Sequence, residues 1–446
     1  MINKQELELL ADALGILEDG AHELPEFTPP VDADALAPVL NEVARRMQDN
    51  YPYFHPQYAG QMLKPPHPVA RIAYALSMWV NPNNHALDGG RASSAMEKEC
   101  IVELGHLFGW NQPLGHLTSS GTIANLEALW VAGKLHPGKR VLASGQAHYT
   151  HSRITDVLGI PYAPLAVDDS GRIDVAALEA ELSKGDVGTV VVTIGTTGLG
   201  VVDPLPDILE LQDSYEFRIH ADAAYGGYFG LSSLLDDRTR ACFDSMGGVD
   251  SIVIDPHKHG LQPYGCGCIL FRDPSVGILY KHGSPYTYFS SSELHLGEIS
   301  LECSRAGASA VALWATMRLM ALESGGELAR GLDASLQAAR GFWQRLEGSE
   351  HFVPLMHPEL DIVVYAARAE DARESSVRAR AVFESAARRG LHLALADFPA
   401  DLVANYVPDM AMNEDKVTCL RSVLMKPEHA DWLDRITALL EASAES

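Results

Sequence analysis

Ser251-Ile-Val-Ile-Asp255-Pro-His-Lys258-His-Gly260 decides how this chain reads. Its first four residues are apolar or small, enough for one buried strand and too few for a buried helix. A polar cluster holding a single lysine follows at once. In an open α/β sheet, ligands lie just beyond the carboxyl ends of the strands. A lysine there is either a surface residue after a strand or an amine nucleophile able to form a Schiff base. The segment alone leaves both readings open.

The same grammar repeats on either side. Short apolar strands are expected at Arg140–Ala143, Ala163–Val167, Thr189–Ile194, Arg218–Ala221, Ser251–Ile254 and Cys268–Phe271. Helical patterns occupy 122–135, 151–158, 174–184 and 204–215 between them. Wholly apolar strands alternating with helices imply an α/β fold whose mostly parallel sheet is covered on both faces. Ahead of these strands, a helix (PVARIAYALSMWV), the loop NPNNHALDGG and a second long helix are expected. One long helix is expected over roughly 307–347. Past it, HFVPLM, DIVVYAA, LHLALAD and VTCLRSVLM read as strands around helices at 370–389 and 428–442. The expected organisation is an N-terminal arm over 1–60, a large domain over 61–345 and a small C-terminal α+β domain over 346–446.

Two further segments carry chemistry. His220-Ala-Asp222-Ala-Ala224-Tyr-Gly-Gly closes the strand FRIHA. A carboxylate flanked by small residues at a strand end fits a flat ligand close to the backbone, with Ala224 small enough to lie under an aromatic ring; it also fits a plain capping Asp. Leu117-Thr-Ser-Ser120-Gly121-Thr122 leads into the apolar helix. Free N–H groups and the positive helix end there make an anion site, or only a cap. Gly195-Thr-Thr-Gly-Leu-Gly200 matches neither nucleotide-loop spacing. Taken together, the three segments ask for a phosphate, a basic ring nitrogen facing Asp222 and a carbonyl for Lys258. Pyridoxal 5′-phosphate offers all three.

Composition narrows the alternatives. With 47% hydrophobic and 21% charged residues over 446 positions, the chain is globular and long enough for a large core. Lys and Arg number 34 against 59 Asp and Glu, a net charge of −25 that repels phosphate backbones and anionic lipid. Nucleic-acid and membrane partners are therefore not expected. Six cysteines without C-x-x-C spacing fit a reducing cytoplasm and structural roles. The first twenty residues read as an acidic amphipathic helix and not a signal peptide, and no 18-residue apolar run exists.

The words TSSGTIANLEAL, AHYTHSRITDVLGI, TIGTTGLGVVDPLPDI, HADAAYGGYFG, SIVIDPHKHG and VTCLRSVLM, in that order, resemble the pyridoxal-phosphate-dependent group II amino-acid decarboxylases of the aspartate-aminotransferase fold, fold type I. The resemblance spans roughly 50–445. It implies decarboxylation of an L-amino acid to amine and CO2, in a homodimer. It also implies that Lys258 holds the cofactor as a Schiff base and that Asp222 pairs with the pyridine nitrogen. By the same likeness His148 stacks on the ring, Ser120, Gly121, Thr122 and His257 lie near the phosphate, and Thr196 and Ala224 line the cofactor. Other reactions of that cofactor stay open: transamination, carbon–carbon lysis and oxidative aldehyde formation. A non-catalytic binding protein is a further alternative, disfavoured because Lys258 and Asp222 are both retained.

His148 and His151 fall three apart, a spacing that suits a metal pair poorly without a third ligand. His257 and His259 flank the lysine, and no metal is expected there either. Arg421, in the last strand word, offers a fork for a substrate carboxylate or is a strand-edge arginine. Arg305 is a weaker candidate. Tyr286 and Tyr288 lie in the Gly/Ser-rich stretch GSPYTYFSSSEL. By resemblance a loop tyrosine about there returns a proton to the substrate carbon; the alternative is plain anchoring. Ile123 and His259 depart from common family residues, which weakens any transfer of substrate identity.

Overall fold

The computed structural model describes residues 3–445 except 21, 26 and 282–293. An arm of two helices, α1 (Lys4–Asp19) and α2 (Ala33–Met47), precedes α3 (Pro68–Met78) and α4 (Leu87–Leu107). The chain then runs β1 (Leu114–Thr118), α5 (Gly121–Leu135), β2 (Arg140–Ser144), α6 (Thr150–Leu158), β3 (Tyr162–Leu165), α7 (Val175–Leu182), β4 (Val187–Thr193), α8 (Leu205–Glu210), β5 (Arg218–Asp222), α9 (Asp237–Asp244), β6 (Ser251–Ile254) and β7 (Gly267–Phe271). After α10 (Gly307–Leu319) and α11 (Glu327–Glu347) come β8 (Phe352–Pro354), β9 (Ile362–Ala367), α12 (Ala372–Arg388), β10 (Ala394–Pro399), α13 (Ala400–Ala404), β11 (Lys416–Val423) and α14 (His429–Ala444).

The first sheet orders its strands β1-β7-β6-β5-β4-β2-β3. Only β7 runs against the rest, pairing antiparallel with both β1 and β6. Val190, Val191, Val192, Ile219, Ala221 and Ile252–Ile254 are fully buried because helices cover both faces, which is why these strands are continuous apolar runs. All but one of the strands therefore deliver their carboxyl ends to one edge. Asp222 ends β5, Lys258 follows β6 by four residues, His148 follows β2, and the α5 start follows β1. The second sheet, β10-β11-β9-β8, is wholly antiparallel. Ala338, Ala339, Phe342 and Leu346 of α11, with α12 and α14, build its separate core around Phe342, Phe352 and Tyr365.

Two details differ from the expectation. The single helix expected over 307–347 is two helices, α10 and α11, broken at 320–326. Gly325 sits there at φ +75°, a conformation costly for residues with a Cβ, so the Gly325-Gly326 pair lets the chain turn. The strand β1 was not expected. It lies immediately before the Ser120 cap and pairs Leu117 with Cys268 and Thr118 with Gly267. Among the described residues no helix is long and apolar enough to cross a membrane.

Candidate active site

A cavity of about 190 Å³ opens at the carboxyl edge of the first sheet. Of the residues singled out in sequence, Ser120, Gly121, Thr122, His148, Asp222, Ala224, His257 and Lys258 all line it. Thr196 does not. Its hydroxyl accepts the Val201 N–H and closes the 196–201 turn, while its neighbours Gly195 and Thr197 face the cavity. Tyr286 and Tyr288 fall outside the described residues.

The anion end is built from helix geometry. Ser120 caps α5, its hydroxyl accepting the Ile123 N–H at 3.3 Å. The remaining first-turn N–H groups have no partner within the helix and mark the positive end of its dipole. Gly121 is needed for close approach: a Cβ there would come within 2.5 Å of an Asp255 carboxylate oxygen. Thr122 is exposed beside it.

Asp222 is held from two sides. Its Oδ1 accepts the Ala224 N–H at 3.2 Å, and Oδ2 accepts from His151 Nε2 at 2.9 Å. Burial alone would raise this carboxyl. The hydrogen bond and charge of His151 outweigh it and hold Asp222 well below the usual carboxylate range. His220, two residues earlier, is locked between Asn125 Oδ1 and the Ser251 hydroxyl, each at 2.8 Å. Burial pushes His220 down to about 3, so it stays neutral and adds no competing charge. Asn125 also donates to the Gly121 carbonyl, tying the helix start to β5 through one side chain.

Lys258 lies partly exposed, its Nζ 3.0 Å from Asp255 Oδ2. Asp255 Oδ1 is buried without a hydrogen-bond partner. His257 bonds the Cys266 carbonyl through Nδ1 at 2.8 Å, leaving Nε2 3.5 Å from Asp255. His148 accepts the Thr150 N–H, and its ring stacks on Tyr149 at 4.4 Å. Burial lowers His148, favouring the neutral ring. The spacing of His148 and His151 is therefore explained without metal: one lines the cavity and the other grips Asp222.

Arg421 occupies a different place. It sits on β11, 5% exposed, and does not line the 190 Å³ cavity. Its Nη1 reaches Gln61 Oε1 at 3.3 Å, while Nε and Nη2 are buried without partners. Arg305 is committed elsewhere, its Nη1 2.8 Å from Glu97 and also on the Leu117 carbonyl. Sequence reasoning missed His151, Asp255, Tyr225 and Asn125 as site residues. All four stand inside the quoted words, but only the strand order shows what they face. His259, beside the lysine, reaches Asp361 at 3.2 Å, and Tyr225 donates to the other Asp361 oxygen.

The residues present suit pyridoxal phosphate. A helix N-terminus would meet the phosphate, an ionised and doubly anchored Asp222 would meet a protonated ring nitrogen, and Lys258 would supply the amine.

Comparison with known proteins agrees. Residues 24–368 match the pyridoxal-dependent decarboxylase conserved domain. The chain is 31% identical to a probable L-tyrosine/L-aspartate decarboxylase of Methanothermobacter thermautotrophicus over 69% of this chain and 82% of that one. It is 27% identical to the L-tyrosine decarboxylase of Enterococcus faecium, covering 76% of this chain and 73% of that protein. Among solved structures, mouse CSAD superposes with a TM-score of 0.80 at 21% identity, covering 98% of both chains. Oryza sativa TDC with PLP and tryptamine gives a TM-score of 0.80 at 16% identity, covering 100% of this chain and 98% of that one. At those identities the structures show the shared fold. With its domain matched over most of its length and its lysine and aspartate converging on one cavity, the chain belongs to the pyridoxal-dependent decarboxylases and is a pyridoxal-phosphate-dependent amino-acid decarboxylase.

Proposed function

We propose that this decarboxylase works with the following residue roles, carried above all by the convergence of Lys258, Asp222 and the α5 N-terminus on one cavity. Bound there, pyridoxal phosphate supplies a carbonyl for amine capture and an electron sink for the bond that breaks between Cα and the carboxylate. Ser120, Gly121 and Thr122 hold the phosphate at the α5 start, with His257 beside it. Asp222 keeps a proton on the ring nitrogen, and His151 keeps Asp222 ionised and correctly turned. The neutral His148 ring covers one face of the cofactor and Ala224 supports the other. Thr196 acts through the turn that presents Thr197. Lys258 Nζ would hold the cofactor carbonyl, with Asp255 as its nearest carboxylate. Arg421, with two free donors and Gln61 to steady it, takes a substrate carboxylate. Tyr288 or Tyr286 returns the proton to Cα.

The working form is read as a cytoplasmic homodimer. In α2, Leu36, Val39, Leu40 and Val43 are each at least half exposed and share one helix face, which a second copy would cover. A panel of twenty L-amino acids, read for CO2 and amine together, tests the reaction and finds the substrate. Equal CO2 and amine supports simple decarboxylation. Aldehyde with peroxide in place of amine defeats it, and light scattering that gives a monomer defeats the dimer.

A further inference from the structure

A second cavity, of about 550 Å³, lies behind the Lys258 loop. It is bounded by the arm link at Lys64–Pro68, the start of α11 and the Lys426–Glu428 turn between β11 and α14. Two lysines, Lys64 and Lys426, line it. Lys64 Nζ donates to the Met425 carbonyl at 3.0 Å, and Lys426 Nζ donates to the Tyr58 carbonyl at 2.6 Å. Each ammonium has three donors, so each has donors to spare. Neither forms an ion pair among the described residues, and Lys426 is only 4% exposed.

Two like charges that feel each other, with Asp361 and Glu428 near but in no ion pair with them, oppose folding. The cost is visible: burial pushes Lys64 down to about 8, and burial together with Lys64 pushes Lys426 down to about 7. An anion seated between them relieves both. The rest of the wall says what the anion carries. Leu261, Met320 and Leu328 present apolar surface, too much for a bare inorganic ion to use. Glu327 and Glu428 also line the cavity and disfavour a dianion; Arg71 and Arg330 are the other charged groups of the wall, and burial holds His67 and His259 toward the neutral ring. We propose that this cavity is a binding site for a monocarboxylate with an apolar body, its carboxylate gripped by Lys64 and Lys426.

The site is distinct from the catalytic one. Lys258, Asp222 and Arg421 do not line it. The two cavities meet only through side chains: His259 faces this one, Tyr225 faces the other, and Asp361 joins them. The proposal does not depend on the roles assigned above.

The test uses 3-phenylpropanoate as probe and 3-phenylpropan-1-ol as its neutral twin. Both are titrated calorimetrically into enzyme whose cofactor has been fixed to Lys258 with borohydride, so the catalytic amine is blocked. The acid is expected to bind at least tenfold more tightly than the alcohol at pH 7, and to weaken by pH 9 as the two amines lose their protons. Lys64→Met and Lys426→Met each weaken it tenfold or more, while Arg421→Lys leaves it unchanged. Equal binding of acid and alcohol, no binding at millimolar acid, or loss in Arg421→Lys with both methionine variants normal overturns the proposal. Should the methionine variants fail to fold, acetic anhydride labelling of the parent enzyme decides. Lys64 and Lys426 are to be shielded by the acid, and labelling that ignores it also overturns the site.

Discussion

Asp222 and Arg421 are both buried charges, and the protein treats them oppositely. Asp222 has both oxygens engaged, by His151 and by the Ala224 N–H. Arg421 has one bond, to Gln61, and two buried donors with none. A satisfied buried charge is a finished part whose job is to hold a state. An unsatisfied one costs stability until a ligand arrives. On the proposed roles, the first sheet would supply a preset electrostatic environment for the cofactor, and the second sheet two donors for a substrate carboxylate.

The largest expected effect lies on the finished side. Lys258→Ala is expected to abolish turnover while leaving circular dichroism unchanged, since the amine is the proposed covalent attachment point. Borohydride treatment of the parent enzyme should fix pyridoxal phosphate on the peptide containing Lys258; label on any other lysine removes the assignment. Asp222→Asn comes next. An amide cannot hold the ring proton, so the rate is expected to fall about 10³-fold, or roughly 4 kcal/mol of barrier. The same change breaks a buried charged hydrogen bond, so the protein should also lose about 1–3 kcal/mol of stability in urea unfolding. Near-parental turnover would take Asp222 out of the site.

The contrast explains what could be read from the sequence. Most strands and helices were legible because fully buried parallel strands are unbroken apolar runs, and Ser251–Ile254 stands in the structure as it reads, whereas β1 was missed. Lys258, Asp222 and the Ser120–Thr122 start were legible because strand-end chemistry is local. His151 was not. It looked like the partner of His148, three residues away, and its true partner is 71 residues further along, on β5. Strand order, not spacing, brings α6 over Asp222. The break between α10 and α11 was missed because apolar spacing runs through Met320 and resumes at Leu328, leaving only two glycines to signal it. The orphaned donors of Arg421 have no sequence signal whatever, since a missing partner leaves no motif.

Arg421 is the place to break the comparison. Arg421→Lys keeps the charge and loses the fork, and is expected to raise KM about tenfold to a hundredfold with a smaller change in kcat. Arg421→Met removes an unsatisfied buried cation and replaces it with matching apolar volume. It should raise the unfolding free energy of the cofactor-free protein by about 1 kcal/mol while damaging KM at least as much as lysine does. Asp222→Asn and Arg421→Met are thus expected to move stability in opposite directions. If both destabilise, Arg421 is a structural residue and the carboxylate-binding reading is wrong.

His151 gives the smallest and sharpest effect. Its hydrogen bond is what overcomes burial and keeps Asp222 well below the usual carboxylate range. Without it, burial dominates and the Asp222 carboxyl rises. The sign follows directly. A carboxylate that must stay ionised fails on the acid side, so raising its pKa moves the acid limb of the rate profile to higher pH. His151→Asn is therefore expected to lower kcat about tenfold at neutral pH, near 1.4 kcal/mol, and to lose activity on acidification earlier than the parent. The visible band of the loaded enzyme should shift with pH over the same displaced range, because the ring nitrogen and Asp222 share one proton. His151→Gln can restore a donor to Oδ2 and should recover part of both changes. A variant that is merely misfolded would lose activity equally at every pH. An acid limb that stays where the parent has it would show that Asp222 is held by something other than His151.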